Sequence, residues 1–393
     1  MDKESFLSKD TYEYLTNFAD DRDIINMLSV NKKFNDDEFF ERVLKRKYPL
    51  LLKFKRTSES FKQFYLRMVT YIYKLQEEFQ IPYFALDTFN PYEFYNRYRY
   101  KKDDILSKAA EYAAQVGDIK LVYRFIERGA KVNNVLIGAA RGGHINLVKD
   151  MLDRGATSLN EAMASAARWG YKDIVQILID KGANRFAPAI YTSAFGGHID
   201  LLNFLLKFDP NYNMAMLGAV GKGYMDIIEL MISKGANDFN GGLSEASKQG
   251  RLDLMQYMIE RGADNFNDAL TEAADVKVVD FLIDKGATDL NKALYFAAIY
   301  NKRKIANYLI EKGATDLNEA IRTAASLGHK EMVNDLIQRG ANNFNAALKS
   351  AAFLGRLDMV KYMLEKGATD VAGALQKAAQ GRQPHVIEYL KQI

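Results

Sequence analysis

Side chains suited to catalysis or metal binding are few in this sequence and recur at regular places. The 393 residues include four histidines and no cysteine, which excludes disulfides, thiolate-ligated zinc and a cysteine nucleophile. His144, His198 and His329 each follow a glycine at an equivalent place in the chain, where other segments carry Tyr or Arg, and His385 stands alone. The segments that carry these histidines are not consecutive. The pattern therefore favours structural histidines over a metal site.

One short string has a superficial likeness to a phosphate-binding loop. GAVGKG, from Gly218 to Gly223, lacks the four-residue spacer and the Ser or Thr after the lysine, and it follows a helical pattern where a strand is required. No nucleophile elbow, dinucleotide fingerprint or paired-carboxylate motif is present either. We predict no enzymatic activity and no cofactor.

The elements that carry these residues are internal repeats. Gly-Ala pairs recur every 26 or 27 residues, with one step of 24, and Asp209-Pro210 fills one position of the series. The pairs are Gly129-Ala130, Gly155-Ala156, Gly182-Ala183, Gly235-Ala236, Gly262-Ala263, Gly286-Ala287, Gly313-Ala314, Gly340-Ala341 and Gly367-Ala368. A fixed period of this length is typical of solenoid proteins.

Each repeat has the pattern of two short helices, shown well by the segment from Thr315 to Ala341. Small and apolar residues recur at helical spacing in its first half, and Gly328 is placed to end that helix in a left-handed conformation. Its second half carries an apolar stripe wide enough to contact both its partner helix and the next repeat. The stripe consists of Met332, Val333, Leu336 and Ile337.

These units resemble ankyrin repeats. The matching residues include Ala166-Ala167, Gly170 and Gly182-Ala183 in one unit, and Ala324-Ala325, Gly328-His329 and Gly340-Ala341 in another. An ankyrin unit has about 33 residues, so the resemblance implies projecting fingers reduced to tight turns such as Thr288-Asp289-Leu290-Asn291. We expect an all-α, ankyrin-like α-solenoid of about eleven helical hairpins over residues 107–393, which binds other proteins.

One repeat is irregular. The unit from Asp264 to Ala287 is three residues short around Ala274 to Val276, where the inter-helix glycine should stand. We predict a tightened junction between its two helices and a local change of superhelical twist near Val276.

The segment before the repeats is rich in aromatic residues. Fourteen of the forty residues from Phe61 to Tyr100 are Phe or Tyr. A terminal repeat needs a cover for its exposed apolar side, so residues 51–106 are predicted to form a helical cap or linker. Nearby basic residues could suggest stacking on a nucleic acid, but no nucleic-acid motif accompanies them and a nucleic-acid partner is not favoured.

The first fifty residues resemble an F-box, a short three-helix motif. The resemblance rests on residues such as Asp23, Val30, Asn31, Phe39 and Pro49, and on an apolar set that the family uses to dock a Skp-type adaptor of cullin-RING ubiquitin ligases. In this chain the adaptor-docking set would be Leu15, Phe18, Ile24, Ile25 and Leu28. The alternative is that these side chains form the core of a small helical domain. An F-box-like segment before short ankyrin-like repeats is most similar to proteins of large DNA viruses.

The two residues after the double alanine lie on the concave, helix-lined face in ankyrin-like stacks. At these positions this chain has several large side chains, including its single tryptophan, and such residues are enriched at interface hot spots. The candidate partner-binding set is Arg168, Trp169, Phe195, Tyr300, Leu327 and Phe353. Packing against the next repeat is the alternative for each apolar member.

These resemblances lead to one favoured function and one alternative. The favoured function is a substrate-recruiting adaptor of an F-box-type ubiquitin ligase; the alternative is a non-catalytic scaffold or virion-associated binding protein.

The net charge of +4, from 54 basic and 50 acidic residues, is small. No apolar run reaches the roughly 18 residues that a membrane span needs, and the first ten residues lack an apolar signal segment. We therefore expect a cytoplasmic or nuclear protein, in a host cell if the protein is viral.

Overall fold

A computed structural model of the protein describes residues 102–393 and nine earlier residues. The earlier residues are Phe40, Glu41, Lys45, Lys55, Ser60, Phe61, Gln63, Phe64 and Tyr65. Residues 102–393 form 22 helices and no strand. The predicted all-α class is confirmed.

The chain divides into two compact units, residues 1–189 and residues 190–393. The described helices of the first unit are α1 Lys102–Val116, α2 Ile119–Glu127, α3 Val132–Gly142, α4 Ile145–Asp153, α5 Leu159–Arg168 and α6 Lys172–Asp180, and the boundary falls within α7 Phe186–Gly196. Before them, Phe40, Phe64 and Tyr65 are fully buried, and the ring centroids of Phe40 and Tyr65 lie 5.1 Å apart. The F-box-like residues from Leu15 to Leu28 lie outside the described residues.

The second unit contains the remaining helices. They are α8 Ile199–Leu205, α9 Tyr212–Val220, α10 Met225–Ser233, α11 Phe239–Gln249, α12 Leu252–Glu260, α13 Phe266–Glu272, α14 Val276–Asp284, α15 Leu290–Ile299, α16 Arg303–Glu311, α17 Leu317–Leu327, α18 Lys330–Gln338, α19 Phe344–Phe353, α20 Leu357–Glu365, α21 Val371–Gln380 and α22 Pro384–Leu390. Odd-numbered helices are the first helices of the hairpins and even-numbered helices are the second.

Within each unit a hairpin is held by its partner helix and by the neighbouring hairpins. Helix α3 packs on α1, α4 and α5, and α19 packs on α17, α20 and α21. The double alanines are buried at these contacts, as at Ala324 and Ala325, because a small side chain lets two helices approach closely. Val333 and Leu336 of α18 are also buried, and each such side chain contributes about 1.5 to 3 kcal/mol. The expected stacking of hairpins is thus seen inside both units.

The Gly-Ala pairs close each second helix and start the turn to the next repeat. Gly313 has a φ of +111°, which a residue without a side chain adopts at low cost. The next amide, Ala314 N, then donates back to Leu309 O at 2.9 Å, in a Schellman-type end. Asp and Asn side chains cap several of the helices that follow; Asp289, for example, accepts a hydrogen bond from Lys292 N. The fingers of a full-length ankyrin unit are replaced by these five-residue turns.

Asparagines link consecutive turns in a series that we call the asparagine ladder. Each ladder residue is the second residue of a first helix, and its Oδ1 accepts hydrogen bonds from two successive backbone amides at the start of the next repeat. For Asn318 these donors are Asn342 N and Asn343 N, both at 2.9 Å. The ladder comprises Asn133, Asn160, Asn213, Asn240, Asn267, Asn291, Asn318 and Asn345, with bond lengths of 2.6 to 3.1 Å. The ladder therefore gives these backbone amides of the turns a hydrogen-bond acceptor.

The sequence shows one gap in the series. Ala187 occupies the ladder position of its repeat, and the turn that follows contains Pro210, which has no N–H to donate.

The short repeat is shortened in its first helix and not, as predicted, at the junction between its two helices. Helix α13 has seven residues, whereas α11 has 11 and α15 has 10. Three residues separate α13 from α14, the same number as between α15 and α16. Asp275 caps α14 by accepting from Lys277 N and Val278 N. Lys302 of the next repeat donates from Nζ to Glu272 O (3.1 Å) and Ala273 O (2.7 Å), so it satisfies carbonyls at the end of α13. Burial lowers the pKa of Lys302.

Candidate functional site

His144 and His329 each tie their own repeat to the one before it. His144 Nε2 donates to Gln115 O at 3.1 Å and His329 Nε2 donates to Ile299 O at 3.1 Å. Arg356 makes a longer bond of the same kind, from Nε to Ser326 O at 3.4 Å. These side chains satisfy carbonyls near the ends of first helices, which gives them a structural role.

His385, which the sequence pattern left isolated, makes the same kind of contact. Its Nε2 donates to Gly355 O at 3.0 Å. In most other repeats the residue directly before the second helix is His, Tyr or Arg. Before α22 this residue is Gln383, and His385 lies two positions further along the chain. The repeat pattern of the sequence therefore did not indicate this contact.

The GAVGKG string belongs to the end of α9. Gly218 is buried, and a Cβ added to it would lie 2.1 Å from Tyr191 O. Glycine is required at position 218 because the backbones of α7 and α9 approach each other closely there. This requirement does not involve phosphate binding.

In the first unit, the candidate binding residues Arg168 and Trp169 lie at the end of α5. Both side chains are exposed, Trp169 to 52%. An indole half accessible to water is a large amphipathic surface of the kind that anchors interfaces.

Phe195 in the second unit is half-buried. Its ring lies against Gly221 of the next repeat, where an added Cβ would come within 2.9 Å of it. Lys222 Nζ lies 4.9 Å from the centroid of the Phe195 ring. Phe195 therefore contributes to packing between repeats as well as to the surface.

Tyr300 is the most exposed aromatic side chain of the candidate set, at 53%. Its ring stacks on Phe296 at a centroid distance of 6.2 Å, which fixes its direction. The preceding positions of α15 are buried at Ala297 and Ala298, so Tyr300 projects from a packed helix.

The last repeats form a cleft beside Phe353. Phe353 and Leu354 are each 42% exposed, whereas Leu327 is half-buried. The cleft has a volume of about 410 Å³ and is lined by Arg322, Ser326, Lys349, Ser350, Phe353, Leu354 and Lys377. Leu354, which also follows the double alanine, and the three cations were not in the candidate partner-binding set.

The charges around this cleft are arranged in pairs at its rim. Lys349 Nζ lies 3.0 Å from Asp370 Oδ2, and the hydrogen bond from Lys349 holds the pKa of Asp370 below its usual range. Arg322 likewise pairs with Glu319 and lowers the pKa of that carboxyl. Lys377 Nζ donates to Gln380 Oε1 at 3.0 Å. The cleft therefore combines an apolar floor with a polar, mainly basic rim, as protein interfaces do.

In the described part of the chain, no three His, Asp or Glu side chains lie together in an arrangement that could hold a metal ion. None of the helices described is both long enough and apolar enough to cross a membrane.

Stacked helical hairpins with exposed aromatic side chains on their first helices define a repeat protein of the protein-binding class. Comparison with known proteins agrees with this class. Residues 110–187 and 243–321 match the family model described as Ankyrin repeats (3 copies). The ankyrin character of the repeats predicted from the sequence is confirmed for these two stretches, and such repeats form protein–protein interaction modules.

Solved structures and curated proteins were compared as well. The chain is similar to the crystal structure of the human ASB11 ankyrin repeat domain, with 20% sequence identity and a TM-score of 0.30. The similarity covers 46% of this chain and 98% of that domain. No curated protein matches.

Proposed function

We propose that the exposed side chains at the ends of the first helices bind a protein target. The observation that carries this proposal is the exposure of Trp169, Tyr300 and Phe353, each of which is one of the two residues that follow the double alanine in its repeat. Folding gains little from leaving such large apolar side chains in water, whereas an interface gains most from aromatic anchors. The second unit offers the more extensive surface, from Tyr300 to the cleft beside Phe353.

A photo-crosslinking experiment tests which surface binds. The photoreactive residue p-benzoylphenylalanine would replace Tyr300, Phe353 or, as a matched control, Ile199, an exposed apolar residue in the first turn of α8. We expect the same protein adduct from the Tyr300 and Phe353 probes and none from the Ile199 probe. Equal adducts from all three positions would contradict the proposed face.

The target identified in this way then allows affinity to be measured. Phe353→Ala combined with Leu354→Ala should weaken target binding about 30-fold or more, because a hot spot contributes about 2 kcal/mol. Circular dichroism and the melting temperature should stay close to those of the wild type, since both side chains are exposed. Ile199→Ala is the control and should bind normally; a double variant that also binds normally would rule out the cleft.

We further propose that the chain recruits this target to a ubiquitin ligase. The support is the F-box-like pattern of residues 1–50, with Leu15, Phe18, Ile24, Ile25 and Leu28 as the adaptor-docking residues. The repeats would then hold the substrate while the amino-terminal segment holds a Skp-type adaptor. A scaffold without a ligase link is the alternative, in which the amino-terminal residues cover the first repeat.

A pull-down of the full chain with a Skp-type adaptor separates these two functions. Ile24→Glu combined with Leu28→Glu should abolish adaptor binding, because charged groups cannot be buried in an apolar contact without a large loss. Ile393→Glu is the control, since Ile393 is exposed at the other end of the chain. No association of the adaptor with the wild-type chain would favour the scaffold.

A further inference from the structure

A second recess lies beside the shortened repeat and shares no residue with the cleft at Phe353. It has a volume of about 780 Å³ and is lined by Ala274, Asp275, Val276, Lys277, Lys302, Arg303, Lys304, Ile305, Asn307 and Asp335. One wall is the segment between α13 and α14 together with the start of α14, and the other is the start of α16. The recess thus lies beside α13, which has seven residues where α11 has 11 and α15 has 10.

Four cations and two carboxylates line this recess, but not all of them are available to a ligand. Arg303 is held by Asp335 through two bonds, Nε to Oδ2 at 2.6 Å and Nη2 to Oδ1 at 2.8 Å. Lys302 is bound to the two carbonyls at the end of α13, and Asp275 caps α14. The structure gives no charged partner within the described residues to Lys277 or Lys304, and both are exposed.

These two lysines occupy a repeat position that is acidic in most other hairpins of the second unit. The equivalent residues are Asp200 in α8, Asp226 in α10, Asp253 in α12, Glu331 in α18 and Asp358 in α20, while α22 has His385. An acidic group in the first turn stabilises a helix through its dipole, and a cation there opposes the dipole, by about 0.3 to 1 kcal/mol each. Helix stability thus does not explain why two consecutive repeats carry lysine at this position.

The remaining lining of the recess is partly apolar. Val276 is half-buried and Ile305 is buried, and they lie in the same first turns as the two lysines. A volume of about 780 Å³ exceeds what a single small anion fills and is comparable with clefts that take several side chains. The recess thus fits a chain segment that carries both carboxylates and an apolar side chain.

We propose that this recess is a second docking site, which binds an acidic segment of a partner protein. Carboxylates of the segment pair with Lys277 and Lys304, and an apolar side chain next to them packs on Val276 and Ile305. The proposal is independent of the function assigned to the first-helix face, because neither set of residues contributes to the other.

Peptide selection on the full chain tests this proposal. A library of random 12-residue peptides would be displayed and selected against the wild type. The selected peptides would then be measured against K277D/K304E, which restores the acidic residues used by the other repeats and should keep or slightly raise the melting temperature. We expect the wild type to select Asp- and Glu-rich peptides with an interspersed apolar residue, and the variant to bind them at least tenfold more weakly.

A control variant separates specific docking from general attraction by charge. K207E/K391E changes the net charge by the same amount at two exposed lysines away from the recess, and it should bind the peptides like the wild type. The proposal is wrong if selection shows no acidic enrichment, if K277D/K304E keeps its affinity, or if the control loses as much. Displacement of the peptides by inorganic phosphate, but not by chloride of equal ionic strength, would assign the recess to a small anion and overturn the peptide site.

Discussion

Gly218→Ala is expected to lower the free energy of unfolding by about 3 kcal/mol. The new methyl group would lie 2.1 Å from Tyr191 O, an atom of the α7 backbone that cannot move by a side-chain rotation. Helices α7 and α9 would have to separate, and the buried contacts of Ala215 and Met216 would loosen. Urea unfolding followed by circular dichroism measures the loss. Hydrogen exchange should place it at the amides of α9.

A second glycine supplies the matched control for this prediction. Gly242 also lies inside a helix and is buried, but a Cβ there would meet the Met258 side chain, with Sδ at 2.7 Å. A flexible methionine can adjust, and alanine is favoured over glycine in a helix by about 1 kcal/mol. Gly242→Ala should therefore be close to neutral. If Gly218→Ala unfolded at the same urea concentration as Gly242→Ala, close backbone contact would not be the reason for glycine at 218.

Removing two rungs of the asparagine ladder should have an effect of similar size. Asn318→Ala leaves the amides of Asn342 and Asn343 without their acceptor, and Asn240→Ala does the same to Asp264 and Asn265. Each bond contributes about 1 kcal/mol, so the double variant should lose about 4 kcal/mol, since sites this far apart add. The expected readouts are a lower urea midpoint and faster hydrogen exchange at those four amides.

Two further variants test whether the acceptor oxygen is the reason. Asn318→Asp keeps an oxygen in the same place and should retain most of the wild-type stability. Asn203→Ala removes an exposed asparagine from α8, outside the ladder, and should change stability by less than about 0.5 kcal/mol. Loss of stability in Asn318→Asp equal to that in Asn318→Ala would show that these turns do not depend on the bonds to Oδ1.

The candidate site was predicted only in part. Trp169, Tyr300 and Phe353 are exposed as the binding hypothesis requires, but Phe195 and Leu327 are half-buried. The five F-box-like residues lie outside the described residues, and their role stays a prediction. Exposure at one repeat position depends on the residue that faces it from the next repeat; Gly221 accepts the Phe195 ring because it has no side chain. The residue pattern of one repeat does not show which residue of the next repeat faces a given side chain.

The asparagine ladder was also only partly predictable from the sequence. Its residues recur visibly in the sequence, as Leu-Asn, Phe-Asn, Tyr-Asn or Val-Asn after most turns. Yet their bonds reach 24 and 25 residues ahead, or 21 and 22 residues ahead from Asn267 in the short repeat. The recurrence could have indicated a structural role, but not the identity of the donors, because those donors are backbone amides and leave no trace in side-chain types.

The sequence by itself determined the helical hairpins, their number and their ends. These depend on local physics: the spacing of apolar residues, the caps, and glycines that adopt positive φ. Only the tertiary structure decided which large side chains stay exposed, that Lys302 satisfies the end of the shortened helix, and that the missing turn leaves a basic recess. Those features arise between repeats, where packing and solvent access depend on residues far apart along the chain.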